Sequence, residues 1–403
     1  MGKWIEQSLG SLIVEEKKST IQVQGASNYG GYLFFTSGDN VLVHDEFLVD
    51  GEKLFLATGG KANIKFYNGK AAYSTDTYVI GSEKASTLYL YYYLLNQIDF
   101  INSNLFTGSG LKHLQKNDFK KLRFTLPEDK PEQTHIAQIL STADKAIAQT
   151  EALIAKYHRI KTGLMQDLLT KGIDEHGNIR SEQTHRFKTE KGLRVPEEWE
   201  VKELDAVCKK ISDGAHQGVV FDDQKDVPFL FVSCIKPNQI LWENCAWIGF
   251  DNYLIVSKGK EPVRGMVLYS VVGSYGNAVT VEIDELFTFQ RHIAFLIPDE
   301  KSLSSEFLTL FLNSEKGKRN ADDLATGNAQ KTITLTALRT FLIPLPKPDE
   351  QKRIFQKVKA ASDLVRDNQK HLSKLQSLKT GLMQDLLSGK VRVKIKEETL
   401  VNP

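Results

Sequence analysis

Four sets of residues in this chain are of types capable of chemistry. In Pro348-Asp349-Glu350-Gln351-Lys352, the Glu350-x-Lys352 spacing matches that of a metal-holding acid and a lysine in phosphodiester cleavage. An equivalent segment earlier in the chain reads Glu132-Gln133-Thr134, without the lysine, and both segments open runs of helical period. Acidic side chains at a helix start satisfy free N–H groups and the helix dipole, so the pair predicts two capped helix starts rather than a nuclease. The second string, Gly273-x-x-Gly276, lacks both the Lys-Ser/Thr of a P-loop and the three-glycine spacing of a dinucleotide turn. His216 and His292 have no acidic or cysteine partner at ligand spacing, so no metal site is expected. Finally, Cys208, Cys234 and Cys245 form no Cys-x-x-Cys pair, which predicts free, buried thiols rather than a zinc site or a disulfide framework.

The elements that position such residues must fit a chain of 403 residues, 41% hydrophobic and 25% charged, a composition suited to two soluble globular domains. No run of 18 apolar residues exists, and acidic residues occur too early in Met1 to Glu16 for a signal peptide. No membrane contact and a cytoplasmic location are therefore expected. The formal net charge is +2, from 52 basic and 50 acidic residues, so any nucleic-acid binding has to come from local patches or from basic surface supplied by partners.

The organising feature is a duplication. Lys161-Thr162-Gly163-Leu164-Met165-Gln166-Asp167-Leu168-Leu169 returns unchanged at Lys379 to Leu387, an offset of 218. Glu132-Gln133-x-x-Ile136-x-Gln138 returns at the same offset as Glu350-Gln351-x-x-Ile354-x-Gln356. Upstream, Thr107-Gly108 and Leu126-Pro127 match Thr326-Gly327 and Leu345-Pro346 at an offset of 219, and Trp4 with Leu9 matches Trp199 with Leu204 at 195. One duplication of this length implies two related domains rather than a solenoid, whose repeats run at roughly 20 to 50 residues. A pseudo-two-fold protein suits a pseudo-symmetric partner such as duplex DNA.

From Ile136 the apolar residues follow a 4-3 spacing through Leu140, Ala143, Ile147, Thr150, Ile154, Tyr157, Lys161, Leu164 and Leu168. The second copy gives Ile354, Val358, Ala361, Val365, Asn368, Leu372, Leu375, Lys379, Leu382 and Leu386. This is a coiled-coil seam, with polar positions that fix register. Gly163 and Gly381 interrupt both stripes, which suggests close backbone approach of the other helix or of a partner subunit. Antiparallel packing of the two helices would make a rod of about 57 Å.

The modules preceding the helices share landmarks but little sequence. Strands are expected at 53–59 and 266–273, each followed by a glycine turn, and further strands around 73–80 and 287–297. Helices are expected at 85–98 and 304–314, so each module mixes α and β structure. The boundaries read as a first module at 1–127, a central helix at 128–170, a polar linker at 171–195, a second module at 196–346, a distal helix at 347–390 and a tail at 391–403.

A Trp-led module, a Thr-Gly turn, a Leu-Pro exit, a Glu-Gln-x-x-Ile helix start and a Lys-Thr-Gly-Leu-Met-Gln-Asp-Leu-Leu helix, all repeated, resemble the specificity subunits of Type I restriction-modification enzymes over nearly the whole chain. Ile211-Ser212-Asp213-Gly214-Ala215-His216-Gln217 resembles a motif at the start of many such recognition domains, with Ala215 in place of the more usual threonine. The resemblance implies two α/β target recognition domains separated by two antiparallel coiled-coil helices. Each domain would read one half of a split DNA target while the helices set the gap. It implies two methyltransferase subunits and, through them, restriction subunits as partners, with S-adenosylmethionine, ATP and Mg held by those partners and no cofactor on this chain. The chain lacks the Asn/Asp-Pro-Pro-Tyr/Phe signature of adenine methyltransferases and a glycine-rich cofactor loop, so it is expected to be non-catalytic.

Base edges are read by hydrogen-bonding side chains. Loops rich in these place Lys61, Asn63 and Lys65 in the first module as candidate DNA contacts, and Asp213, His216, Gln217, Ser274, Tyr275, Asn277, Gln290, Arg291 and His292 in the second. Two alternatives stand beside this reading: the specificity subunit of an orphan methylation or phage-defence complex without a nuclease, and a coiled-coil adaptor without DNA function.

Overall fold

The computed structural model describes residues 3–222, 225–327 and 331–393. It divides into two compact units, Met1–Leu153 with Asn368–Pro403, and Ile154–Asp367. No described helix is long and apolar enough to cross a membrane.

The first unit runs through β1 (Trp4–Ser8), β2 (Val14–Glu15), β3 (Tyr32–Phe35), β4 (Val41–His44), β5 (Glu52–Ala57), β6 (Ile64–Asn68), β7 (Ala71–Tyr73) and β8 (Thr77–Gly81). Helix α1 (Thr87–Asn96), the short β9 (Phe106–Thr107) and β10 (His113–Leu114), and β11 (Arg123–Pro127) complete the module. Strands β1 and β11 pair antiparallel, with Trp4 opposite Pro127, so the module opens and closes on one ribbon. Between them lie a four-stranded sheet, β2-β8-β5-β6, and a three-stranded sheet, β4-β3-β7. Strand β5 serves two cores because alternate side chains leave opposite faces. Leu54 and Leu56 join α1, whereas Phe55 stacks on Phe35 of the three-stranded sheet at 4.0 Å between ring centroids.

The long helix α2 (Lys130–Thr170) begins in the first unit and ends in the second. The second unit then contains β12 (Phe187–Glu190), β13 (Leu193–Pro196), β14 (Glu200–Glu203), β15 (Cys208–Asp213), β16 (Val227–Leu230), β17 (Ile235–Lys236), β18 (Gln239–Ile240) and β19 (Ala246–Ile248). Helix α3 (Phe250–Val256), β20 (Val267–Ser270), β21 (Ala278–Thr280), β22 (Thr288–Phe289), β23 (Ile293–Pro298), helix α4 (Ser305–Leu312) and β24 (Leu342–Leu345) follow. The last helix, α5 (Pro348–Leu387), returns the chain to the first unit.

The second module repeats the plan of the first. Strand β14 pairs with β24, the four-stranded sheet is β15-β23-β20-β21, and the three-stranded sheet is β19-β16-β22. Even the mixed pairing recurs: β3 is parallel to β7 and antiparallel to β4, as β16 is to β22 and β19.

In each unit the start of one long helix shares a core with the end of the other. Ile136 and Leu140 cluster with Leu386 and Leu387 in the first unit, where Lys379 Nζ also lies 2.5 Å from Asp144 Oδ1. In the second unit, Leu168 and Leu169 cluster with Ile354 and Val358. Seam residues Leu140, Leu168, Val358, Val365 and Leu386 are buried, and Ile147, Ile154, Tyr157, Leu164, Leu372, Leu375 and Leu382 are half-buried.

Three expectations are revised. A Cβ built on Gly163 or Gly381 would meet nothing within 4 Å, so neither glycine accommodates the other helix. The single strands expected around 73–80 and 287–297 are each two strands, because the chain passes from the three-stranded to the four-stranded sheet at Ser74-Thr75-Asp76 and at Gln290-Arg291-His292. The polar segment 171–195 folds onto the second unit, where Ile173 and Leu193 join the core and β12 pairs with β13. Of the tail at 391–403, residues 394–403 lie outside the described residues.

Candidate nucleic-acid interface

All the candidate residues of the second module gather at one end of its four-stranded sheet. Strand β15 ends with Asp213 opposite Ala294, and β20 ends with Ser270 opposite Ile293. The crossing Gln290-Arg291-His292 is pinned between them. Gln290 N–H donates to Leu230 O at 3.0 Å, Arg291 N–H to Ala215 O at 3.1 Å, and the His292 carbonyl accepts from Val271 N–H at 3.0 Å. Lys331 and Ile333 join the same edge, since Ile333 N–H reaches Val271 O at 2.8 Å and Gly273 N–H reaches Lys331 O at 3.3 Å. Gly214 is required for this approach, because a Cβ there would overlap the carbonyls of Phe289 and Gln290.

Within that edge the polar side chains divide into committed and free groups. Asp213 Oδ2 lies 2.8 Å from His216 Nε2, Asp213 Oδ1 lies 4.0 Å from Lys260 Nζ, and Lys260 also donates to the Gly214 carbonyl. Asn277 Nδ2 closes its own turn on Ser274 O at 3.0 Å. The Tyr275 hydroxyl donates to Asp322 Oδ1 at 2.7 Å, a bond that raises the phenol pKa. By contrast, the side chains of Gln217, Ser274, Gln290, Arg291, His292 and Lys331 make no hydrogen bond or ion pair with any described residue.

The first module builds the same edge from other residues. Ser74 N–H donates to Phe35 O at 2.9 Å, Thr75 N–H to Ile21 O at 2.8 Å, and the Asp76 carbonyl accepts from Thr58 N–H at 3.2 Å. Gly60 N–H reaches Lys112 O and Leu114 N–H reaches Thr58 O, at 2.8 and 3.0 Å. Bond for bond, Thr75 stands where Arg291 does, Asp76 where His292 does, and Lys112 where Lys331 does. The sequence candidates fare unevenly here. Asn63 Nδ2 is held by Asp39 Oδ1 at 2.5 Å, while Lys65 Nζ donates to the Thr36 carbonyl at 3.2 Å and to that of Gly38. Burial lowers the Lys65 pKa. These two side chains fasten the 36–39 loop, and Lys61 is left exposed at the edge. Thr75, Asp76 and Lys112 escaped the sequence reading. For Lys112 a signal was available, since the 219-residue offset of the Thr-Gly turns carries it to Lys331.

The repeated Glu-Gln pairs have a different use from the helix capping expected of them. Glu350 accepts from Arg180 Nη1 and Nη2, from Trp199 Nε1 at 3.1 Å and from Ile173 N–H at 2.9 Å, all in a buried site. Glu132 takes the corresponding arginine after the other helix, with Arg392 Nε and Nη2 each at 2.8 Å. Gln351 accepts from Ser304 N–H and donates to Pro346 O, as Gln133 accepts from Ser86 N–H and donates to Pro127 O. The glutamates thus tie a helix start to the segment that follows the other helix, and the glutamines tie it to its own module. The carboxylate of Glu350 is fully occupied by donors, which leaves no metal-binding face. Among the described residues, no three His, Cys, Asp or Glu side chains group as a metal site. The three cysteines are free, and burial pushes the Cys208 thiol up to about 12.

Residues 1–157 and 196–377 match the family model described as the Type I restriction modification DNA specificity domain. The chain is 29% identical over 362 residues to the specificity subunit of the Type I restriction enzyme MjaVIII of Methanocaldococcus jannaschii, covering 88% of this chain and 82% of that one. It is 25% identical over 378 residues to the EcoDI specificity subunit of Escherichia coli, covering 88% and 80%. The crystal structure of a Type I S subunit from M. genitalium shares the fold, with a TM-score of 0.64 at 15% identity over 98% of this chain and 97% of that one.

Proposed function

The chain belongs to the Type I restriction-modification DNA specificity family, and on that premise we propose that its two modules each read one half of a split duplex-DNA target for partner subunits that do the chemistry. The observation that carries this reading is the repeated edge. Two sheet ends are built with the same backbone hydrogen bonds and presented with different side chains, as expected of two readers that share a scaffold and differ in target. Phosphate contacts position a reader and base contacts give it sequence. Lys61, Lys112 and Lys331 suit the first task. Gln217, Gln290, Arg291 and His292 suit the second, with the Asp213–His216 pair shaping the loop between them.

In this reading residues 1–127 and 196–346 are the recognition domains, and helices 128–170 and 347–390 form the antiparallel spacer that fixes the gap. A helix of 41 residues is about 60 Å long at 1.5 Å per residue, longer than one turn of B-DNA, roughly 34 Å. The open faces at Gly163 and Gly381 belong to the surface on which two methyltransferase subunits dock. Those subunits supply S-adenosylmethionine chemistry on a flipped adenine, and restriction subunits with ATP and Mg join through them.

The test is to express the chain with its cognate methyltransferase in a host free of adenine methylation and to map the modified bases. A split motif with a constant gap is the expected result. An assembled complex that leaves the DNA unmodified and binds duplexes with no dependence on salt would move the chain to the adaptor class, because phosphate contacts release counterions. Four residues inserted in both helices should lengthen the spacer by about 6 Å and widen the gap by a base pair or two, with both half-sites unchanged.

A further inference from the structure

Resting on the DNA-reading function above, we propose that Arg291 selects a guanine in the half-site of the second module, through paired hydrogen bonds to guanine O6 and N7 in the major groove. The backbone geometry comes first. Arg291 is the middle residue of a three-residue crossing whose members bond in turn to Leu230, Ala215 and Val271, while Ile293 N–H closes back on Gln290 O at 3.0 Å. Gly214 packs so closely under the crossing that a Cβ would collide with the carbonyls of Phe289 and Gln290. The Cα of Arg291 is therefore fixed relative to the sheet end. Reading a base edge needs such fixed placement, whereas a flexible stem suffices for a phosphate.

The electrostatic surroundings point the same way. Arg291 is exposed and its guanidinium pairs with no described residue. Asp213, at the strand end beneath the crossing, is already engaged by His216 and Lys260. The Cα is thus held in place, and the guanidinium is left without a charge partner among the described residues. A guanidinium fork matches the two acceptors of guanine, and no other base presents that pair in the major groove. In the first module the same backbone position carries Thr75, whose short hydroxyl cannot span O6 and N7, so the guanine requirement belongs to one half-site only.

The experiment uses the full chain assembled with its methyltransferase partner, comparing wild type with Arg291→Ala, Arg291→Lys and Arg291→Gln by methylation mapping. The wild-type motif should contain a fixed guanine in one half. Arg291→Ala should relax that single position to any base and slow methylation of the guanine site roughly ten- to a hundredfold, leaving the other half and the gap intact. A motif unchanged in sequence but weaker at every site would overturn the proposal, as would relaxation at a position that is not guanine. A wild-type complex with no motif would overturn the DNA-reading function beneath it, which separates the two failures.

Binding titrations cover the case of a variant that methylates nothing. Duplexes differing at the guanine are titrated with each assembled complex at several salt concentrations. The proposal expects discrimination to vanish with the salt slope unchanged. Equal weakening on both duplexes, with the slope reduced by about one, is the signature of a phosphate contact and would refute it.

Discussion

The two sheet edges have one backbone and two chemistries. In the second module β15 extends from Cys208 to Asp213 and stays paired with β23, whereas β2 in the first module pairs with β8 only at Val14 and Glu15 before leaving the sheet. The longer strand delivers Asp213, Gly214 and Ala215 directly beneath the crossing at Arg291. In the first module the chain detaches early and reaches the crossing through a single bond from Thr75 to Ile21. The conserved part is the set of main-chain hydrogen bonds, which makes few demands on side chains. Divergence is tolerated at the edge because the backbone supplies the placement.

The helix junctions show the same contrast at larger energy. Glu350 is enclosed with Arg180, Trp199 and the Ile173 amide, while the equally buried Glu132 pairs with Arg392, whose side chain is 21% exposed against 9% for Arg180, and the Trp4 indole N–H has no hydrogen-bond partner among the described residues. Glu350→Ala strands a buried guanidinium and should lower stability by about 3–5 kcal/mol. Glu132→Ala removes two charge-assisted bonds but leaves a guanidinium that water partly reaches, and should lose on the order of 2 kcal/mol. Denaturant midpoints of the two variants test the ordering, and equal losses would mean that the two junctions do not differ in burial as described.

A finer comparison uses the glutamines. Gln351 and Gln133 each supply one acceptor to the first amide of a serine cap, Ser304 or Ser86, and one donor to a prolyl carbonyl. Gln351→Ala and Gln133→Ala should therefore cost similar amounts, about 1–3 kcal/mol each, since each leaves buried backbone groups unpaired. Gln351 has an additional bond to Ser302 O at 2.7 Å, which places its loss at the upper end. Thermal unfolding of both variants reads the difference directly.

Much of this architecture was legible in the sequence because it is written in local pattern. The 4-3 stripe from Ile136 to Leu168 marks helix α2, and the Trp4 and Leu126-Pro127 landmarks mark the ribbon that opens and closes the first module. The crossings at Ser74-Thr75-Asp76 and Gln290-Arg291-His292 were not legible, because apolar runs on both sides look like one strand and only tertiary pairing divides them. The same limit applies to the sites. Asn63 and Lys65 have residue types suited to base contact, but their partners, Asp39, Thr36 and Gly38, lie more than twenty residues away. Glu350 looked like a cap for its own helix, since nothing in its neighbourhood announces Arg180 or Trp199.

The smallest effects should come from Lys61 and Lys65, which separate binding from folding at the first edge. Lys65 lies under the 36–39 loop with its ammonium bonded to the Thr36 and Gly38 carbonyls, and desolvation lowers its pKa. Lys65→Met should lower the stability of the first unit by about 1–2 kcal/mol without altering the salt dependence of DNA binding by the intact complex. Lys61 is exposed beside Gly60, whose amide is tied to Lys112, and its side chain has no partner among the described residues. Lys61→Ala should leave stability within about 0.5 kcal/mol and reduce the salt slope of binding by about one, with no change in the motif. The opposite assignment, in which Lys65 carries the salt slope and Lys61 the stability, would place the DNA on the face of the 36–39 loop rather than on the edge shared by the two modules.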